Sequence, residues 1–191
     1  NLINKICENR HLDKGVNVVA IGGGTGLSTL LRGLKDYTTN ITAIVTVSDD
    51  GGSSGRLRKD LHTIPPGDIR NCLVALSASE SLMADLFQYR FHDCSDLEGH
   101  SFGNLFLVAL SDVVGDFDRA MKESSKVLAI RGKVLPATLE PVVLVGKMED
   151  GSVIEGETSI TGAAGKVNLI SLKPPDPAPV EEVIESIRGA E

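Results

Sequence analysis

Short apolar runs alternate with a helical pattern near the start of the chain. The β-branched run VNVVAI, residues 16–21, stops at three glycines, which is typical of a buried parallel strand. A second apolar run, ITAIVTV, covers residues 41–47. Between the two runs, leucines recur at helical spacing: Leu27, Leu30, Leu31 and Leu34. This order predicts a βαβ unit, which is right-handed in nearly all proteins.

Helices separated by polar loops are predicted for the middle of the chain. Residues 49–58, DDGGSSGRLR, are predicted to form a loop from their composition. Asp68 follows a Pro-Pro-Gly break and is predicted to cap a helix that continues through Leu76. Apolar periodicity predicts three more helices: residues 82–91, 102–114 and 117–130. The fold class is therefore predicted to be α/β.

The pattern changes to short strands after residue 132. The predicted strands are residues 134–138, 142–148, 152–157 and 166–172. The sequence EDGS at residues 149–152 predicts a hairpin turn. Beyond a proline-rich linker, apolar residues at helical spacing predict a last helix over residues 180–187.

The length of 191 residues fits one domain. Residues 16–191 are predicted to form it, after a lead-in segment at residues 1–15. The part at residues 133–172 is expected to be a smaller β-rich lobe. Because a helix in a parallel fold is normally followed by another strand, the domain is expected to be incomplete at its C-terminus.

The composition and net charge of the chain limit the kinds of ligand and partner that it is expected to bind. The net charge of −7 argues against a nucleic-acid-binding surface, which is usually basic. It does not exclude a small anionic ligand, because backbone N–H groups bind phosphate without positive side chains. The three cysteines form no CxxC motif, and no apolar run reaches the length of a transmembrane helix. A cytoplasmic protein with reduced thiols and no membrane segment is expected.

Four glycines mark the junction between the first strand and the first helix. They are Gly22, Gly23, Gly24 and Gly26, with Thr25 among them. A helix N-terminus offers free N–H groups and partial positive charge, and glycine lets an anion approach the backbone closely. The segment fits neither GxGxxG nor the Walker pattern GxxxxGK[ST]. A phosphate-binding loop is favoured, and a tight turn without a ligand is the alternative.

Asp49 and Asp50 follow the second predicted strand, at the sheet edge where α/β proteins bind ligands. The pair is predicted to accept hydrogen bonds from ribose or other hydroxyls, or to hold Mg²⁺ against phosphates. A capping aspartate beside a solvated one is the structural alternative. In the next segment, Ser53, Ser54 and Arg56 are predicted to close over an anion.

A second polar cluster lies at residues 92–100. Its His, Asp, Cys and Glu residues match no known metal-ligand spacing, so a metal site is disfavoured. His100 and Asn104 are instead predicted to bind an anion at the start of a buried helix. No catalytic residue is predicted, because no spacing indicates a Ser-His-Asp or Cys-His arrangement.

Four motifs together resemble the YvcK family, whose members are called gluconeogenesis factors and are related to CofD-type 2-phospho-L-lactate transferases. The motifs are VVAIGGGTGLSTLLRGLK, ITAIVTVSDDGGSSGRLR, IPPGDIRNCLVALS and GHSFGNL. The resemblance runs from about Val16 to the end of the chain. It implies a Rossmann-like fold with a mostly parallel sheet and flanking helices.

The resemblance also implies a function. YvcK-like members bind UDP-sugars such as UDP-N-acetylglucosamine and act in cell shape and cell-wall precursor supply. The related transferases move a phospholactyl group with Mg²⁺. Besides the glycine loop and the two aspartates, the matching motifs centre on Asp68, Arg70 and Asn71 and on His100, Gly103 and Asn104.

One family element has no match in this sequence, a second phosphate loop of the form GPGSLYTS. Without its hydrogen bonds, a chain that ends at Glu191 is expected to bind UDP-sugars weakly. It is also expected to self-associate into a homo-oligomer through an open sheet edge.

Three functional hypotheses follow. The first is a non-catalytic regulator that binds a nucleotide-sugar or a nucleoside diphosphate. The second is an Mg²⁺-dependent transferase of a phosphorus-containing group, which the paired aspartates favour. The low aromatic content of 4% argues against it, because a flavin acceptor needs stacking surfaces. A protein-binding scaffold is a third hypothesis, and it requires a large exposed apolar face.

Overall fold

The computed structural model describes residues 11–77, 82–93 and 96–190. Its strands are β1 (Val18–Gly22), β2 (Ile41–Val45), β3 (Lys133–Pro136), β4 (Val143–Met148), β5 (Val153–Glu155) and β6 (Val167–Lys173). Its helices are α1 (Gly24–Leu34), α2 (Gly52–Leu61), α3 (Gly67–Leu76), α4 (Leu82–Gln88), α5 (Phe102–Val114), α6 (Phe117–Val127), α7 (Glu157–Gly162) and α8 (Glu181–Arg188). The predicted α/β class, with flanking helices and a smaller β-rich lobe, is confirmed.

The parallel sheet has the strand order β1-β2-β3. Val18 pairs with Ile41, and Thr42 pairs with Lys133, so the three strands run side by side in one direction. The central strand β2 is apolar and almost entirely buried, as a parallel strand covered on both faces must be. All three strands end at one edge, and α1 begins there directly after β1.

Helices cover both faces of this sheet. On one face, Leu31 of α1 and Leu73 of α3 are fully buried in the main core. On the other face, Val183 of α8 packs against Ile44 and Leu135. Burying one such side chain stabilises the fold by roughly 1.5–3 kcal/mol, so the apolar spacing along these helices fixes which face of each helix meets the sheet.

The antiparallel sheet has the strand order β5-β4-β6. Gly151 turns the β4–β5 hairpin with φ +86, which confirms the turn predicted there. The helix α7 packs on β4, where the ideal Cβ position of Gly146 lies 3.1 Å from Ile160. All seven residues of β6 are exposed, so this lobe has little core of its own.

Three sequence-based predictions are corrected by the structure. Residues 52–58 are not a loop but part of α2: Gly52 adopts φ +48 at its start, and Leu57 anchors it in the core. The small residues Gly-Ser-Ser-Gly conceal the helical pattern. Asp68 does not cap α3, because Pro66 is the N-cap residue. The strand β3 pairs with β2, so the β-rich lobe begins only at β4.

The remaining predicted helices lie close to their expected positions. Two are shorter at the C-terminal end, since α4 ends at Gln88 and α6 ends at Val127. The helix α7 was not predicted, and its first residue, Glu157, was predicted to be the last residue of the strand at 152–157. In the ranges that the structure describes, every helix is too short or too polar to cross a membrane.

Candidate functional site

Four helices begin close together at the carboxyl edge of the parallel sheet. The N–H of Gly24 in α1 donates to Asp68 Oδ2 in α3 at 2.5 Å. The N–H of Gly67 in α3 donates to Ser54 Oγ in α2 at 3.1 Å. A further side-chain hydrogen bond joins α2 to the first turn of α5. Because helix N-termini carry free N–H groups and partial positive charge, their convergence creates an environment that favours an anion.

The glycine loop is tightly packed on one side and open on the other. A Cβ atom on Gly23 would collide with Thr46, and Gly24 has φ +62, which side chains rarely adopt. The ideal Cβ positions of Gly24 and Gly26 have no heavy atom within 4 Å. The first turn of α1 also contains no acidic residue. The loop therefore offers accessible backbone at a helix N-terminus, as a phosphate site requires.

Asp68 places a carboxylate beside the N-terminus of α1. Burial raises the pKa of this carboxyl, the hydrogen bond from Gly24 lowers it, and the charge of Asp49 raises it again. The carboxyl of Asp68 therefore already accepts a hydrogen bond at the electropositive end of α1. A ligand phosphate at the same helix end would compete with it.

The predicted acidic pair diverges. Asp49 Oδ1 accepts a hydrogen bond from Gly51 N at 3.0 Å. Asp50 Oδ1 accepts from Thr158 N at 2.9 Å and from Thr158 Oγ1 at 2.7 Å, and so satisfies the first turn of α7. In the described part of the chain, no group of three or more His, Cys, Asp or Glu side chains is placed to hold a metal ion. Mg²⁺ binding by this pair stays a prediction.

Glu157 joins the site from the antiparallel lobe. Its Oε2 lies 3.3 Å from Ser48 Oγ, and the donor is the Ser48 hydroxyl. Burial raises the pKa of Glu157, and the neighbouring charge of Asp49 raises it further. Glu157 and Thr158 are not predicted as site residues from the sequence, because nothing in a local pattern links residues more than 100 positions apart.

A buried polar network connects α2 to the start of α5. Ser53 Oγ lies 3.1 Å from His100 Nδ1 and accepts a hydrogen bond from Asn104 Nδ2 at 3.1 Å. Ser101 caps α5 by accepting from Asn104 N at 3.2 Å. Burial lowers the pKa of His100, and the positive charge of Arg56 lowers it further. The imidazole is therefore held in its neutral form, in which one ring nitrogen can accept a hydrogen bond.

Three arginines surround this network. Each uses the guanidinium to donate to a neutral oxygen rather than to a carboxylate. The hydrogen bonds are Arg56 Nη2 to Glu98 O at 2.7 Å, Arg70 Nη2 to Asn71 Oδ1 at 2.7 Å, and Arg90 Nη1 to Gly99 O. The predicted residue Asn71 thus orients Arg70.

The residues that match the glycine loop, the acidic pair and the other predicted site positions do lie along one edge of the molecule. Direct contacts link all four motifs: Gly24 to Asp68, Ser54 to Gly67, and Ser53 to His100 and Asn104. Residues 18–191 match the family described as 2-phospho-L-lactate transferase CofD.

The chain belongs to the CofD family.

Its CofD-family relatives include proteins named for gluconeogenesis. The chain is 57% identical over 190 residues to a putative gluconeogenesis factor of Nostoc sp. and 55% identical over 174 residues to the gluconeogenesis factor of Bacillus subtilis. These alignments cover 100% and 91% of this chain but 42% and 55% of the two relatives. The chain thus spans about half the length of the relatives it matches, and the predicted resemblance to gluconeogenesis factors is confirmed.

A solved structure supports the CofD fold. A crystal structure of a protein from Bacillus halodurans superimposes with a TM-score of 0.89 at 56% sequence identity. The superposition covers 93% of this chain and 57% of that protein. At this identity, the arrangement of the sheet and of the helix N-termini is a shared feature of the two proteins.

A groove of about 840 Å³ lies away from this edge, between the end of α2 and the junction of α5 and α6. Leu61, Ile64, Val108 and Phe117 line it, together with Asp112 and Asp116. Its charged lining is acidic, and it faces the C-terminal end of α2. It is therefore a poor site for a phosphate.

Among the described residues of the cluster at 92–100, no group of three or more His, Cys, Asp or Glu side chains is placed to hold a metal ion. Cys94 and Cys7 lie outside the described residues. Cys72 is a free, fully buried thiol of α3, and burial raises its pKa to about 12. It is therefore an unreactive core residue.

Proposed function

We propose that this chain is a nucleotide-sugar-binding regulatory domain of the gluconeogenesis-factor type, acting in the cytoplasm on carbon metabolism, cell-wall precursor supply and cell shape. The observation that carries the proposal is the convergence of the N-termini of α1, α2, α3 and α5 at one edge of the sheet. The names of the relatives support the metabolic part of the proposal.

The phosphates of the ligand bind at the first turns of α1 and α2. Neither helix has an acidic residue in its first turn. Glycine residues, Gly26 in α1 and Gly52 in α2, keep both turns accessible, with no heavy atom within 4 Å of their ideal Cβ positions. Two sets of N–H donors suit a diphosphate, which presents charge on two adjacent groups.

The hydroxyl groups of the ligand bind on the acidic side of the site. In the described hydrogen bonds, Asp49 and Asp50 each use only Oδ1, so each retains a second oxygen that can accept from a sugar or ribose hydroxyl. A nucleotide-sugar supplies both chemical features, a diphosphate and many hydroxyls. A bare phosphate supplies only the first.

Calorimetric titration of the chain tests this proposal. UDP-N-acetylglucosamine, UDP and GDP are added separately, with and without Mg²⁺. The proposal predicts binding of all three diphosphates, with the UDP-sugar tightest because of its additional hydroxyl contacts. Binding of none of the three compounds would reject the function.

A second candidate function is transfer of a phosphorus-containing group, as the name of the matching family suggests. The observation in its favour is the grouping of carboxylates at the site, where the charge of Asp49 contributes to the raised pKa values of Asp68 and Glu157. An all-oxygen donor set fits Mg²⁺, which binds one or two carboxylates together with substrate phosphates.

In that case Asp49 and Asp50 would hold the ion through their second oxygens. The ion would neutralise the negative charge of the phosphate groups during transfer. An assay for product released from a nucleotide donor tests this candidate. Product formation is expected in wild type, and it should be lost when EDTA is added and in the Asp50→Asn variant. Equal ligand affinity with and without EDTA, and no product, would reject it.

A further inference from the structure

The start of α5 gathers positive charge in a chain whose net charge is −7. The side chains of Arg56, Arg70 and Arg90 meet there, and in the described ranges none of them forms an ion pair with a carboxylate. In the hydrogen bonds that the structure describes, each of the three arginines donates to a neutral oxygen. Unpaired arginines are ordinary on an exposed surface, but a buried one requires an explanation.

Arg70 is the buried member. It is only 6% exposed, and its Nε has no hydrogen-bond partner. Burial and then the charge of Arg90 lower its pKa to about 10, while Asp68 acts in the opposite direction. Even so, the group stays protonated at neutral pH. The positive charge is therefore buried with incomplete compensation from the protein itself.

The stem of Arg70 runs along the first turn of α5. The ideal Cβ position of Gly103 lies 2.8 Å from Arg70 Cδ and 2.9 Å from Cγ, so a larger residue than glycine would displace the arginine. The next residue, Asn104, is 2% exposed, and its Oδ1 also has no partner. The first turn of α5 and the arginine packed against it thus each contain a buried polar atom without a hydrogen-bond partner, at a helix N-terminus that adds positive potential.

We propose that Arg70 and Arg90, at the N-terminus of α5, form a second anion subsite that holds a phosphoryl group of the ligand. Arginine suits this role because its planar fork binds phosphoryl oxygens through two parallel hydrogen bonds. This inference rests on the proposed function, because it assumes that the ligand is a nucleoside diphosphate compound. The first turns of α1 and α2 then bind the diphosphate, and the arginine subsite adds hydrogen bonds to one of its phosphoryl groups.

Arg90→Met tests the subsite, because Arg90 is exposed and its loss should not affect folding. Arg119→Met is the matched control, since Arg119 is an exposed arginine that likewise donates to a backbone carbonyl, that of Val114. Pyrophosphate and UDP are titrated separately by calorimetry into wild type and both variants. We expect Arg90→Met to bind both probes at least about tenfold more weakly, and Arg119→Met to match wild type.

Arg70→Met provides a second, independent measurement. Saturating pyrophosphate should raise the unfolding temperature of wild type and leave that of Arg70→Met unchanged. If this variant does not fold, the Arg90 titration alone decides. Equal affinity of wild type and Arg90→Met for both probes would overturn the subsite, as would an absence of pyrophosphate and UDP binding to wild type at about 10 mM.

The titrations separate this inference from the proposed function. Arg90-dependent pyrophosphate binding without any UDP-sugar binding would retain the subsite and reject the nucleotide-sugar. UDP-sugar binding that is insensitive to Arg90→Met would retain the proposed function and reject the subsite. Binding of pyrophosphate but not UDP through Arg90 would identify free inorganic anions, rather than a nucleotide, as its ligand.

Discussion

The two sides of the candidate site treat charge in opposite ways. On the acidic side, the carboxylates of Asp49, Asp50 and Asp68 each accept a backbone N–H hydrogen bond. On the basic side, the arginines around α5 donate to neutral oxygens, and a buried guanidinium nitrogen has no partner. In the described ranges, carboxylates of the protein thus bind its own helix termini on one side, whereas on the other side no carboxylate forms an ion pair with these arginines.

This difference indicates how a ligand would bind. An anionic group is needed on the basic side, where it would compensate the buried charge of Arg70. On the acidic side, the second oxygens of Asp49 and Asp50 would accept hydrogen bonds from hydroxyl groups of the ligand. A ligand with phosphates at one end and hydroxyls at the other matches both sides.

The largest expected effect comes from adding bulk at the start of α1. Gly26→Val should weaken UDP-sugar binding more than tenfold, because loss of one charge-assisted hydrogen bond costs about 1.5–3 kcal/mol. Gly33→Val is the matched control: Gly33 is also a glycine of α1 with open space around its ideal Cβ position, but it lies in the last turn. Calorimetry measures the affinity of both variants for the UDP-sugar. If the two affinities lie within about twofold of each other, the glycine loop is only a turn.

A smaller effect is expected from the link between the acidic side and the antiparallel lobe. Asp50→Ala should lower the free energy of unfolding by about 0.5–2 kcal/mol, since two hydrogen bonds to Thr158 at the start of α7 are lost. Asp50→Asn keeps an acceptor oxygen and should cost less. Urea unfolding measures both, and an Asp50→Ala variant as stable as wild type would contradict the capping contact.

The smallest effect concerns pH. Because burial raises the pKa of Asp68 above its ordinary value of 3.8, the folded state holds the proton more tightly, and stability declines as pH rises through the raised value. Asp68→Asn should therefore be more stable than wild type at pH 7, with the difference vanishing in acid. Urea midpoints across pH measure it.

Asp150→Asn is the control of opposite sign. Hydrogen bonds from the Ser152 hydroxyl and N–H lower the pKa of Asp150, so its contribution is present at neutral pH and lost as pH falls. This variant should be less stable than wild type at pH 7. If Asp68→Asn is also less stable than wild type at pH 7, the ionised carboxylate of Asp68 stabilises the N-terminus of α1 by more than the cost of its burial.

The sequence predicted the part of the fold that depends on local periodicity. Apolar alternation and helical spacing locate β1, α1 and β2, and the glycines between them indicate where an anion would approach. The helix α2 was missed because glycine and serine in its first turn are typical of loops, and only the burial of Ser53, Ser54 and Leu57 shows why they are helical.

The candidate site was predicted only in part, for a topological reason. The glycine loop and the acidic pair follow consecutive strands, so a rule about parallel sheets brings them to one edge. The contacts of Asp50 with Thr158, and of Arg70 with the first turn of α5, join segments that are far apart in sequence. No local pattern in the sequence predicts such contacts. Whether an arginine forms an ion pair with a carboxylate depends on which residues the fold brings next to it.

The central claim is that the ligand binds where the helix N-termini converge, and backbone amide chemical shifts test it most directly. On addition of UDP-N-acetylglucosamine to ¹⁵N-labelled protein, the account predicts the largest shifts at Gly26, at Gly52 and Ser53, and in the first turn of α5. Shifts concentrated instead around Leu61, Asp112 and Phe117 would place the ligand in the groove beside α6 and contradict it.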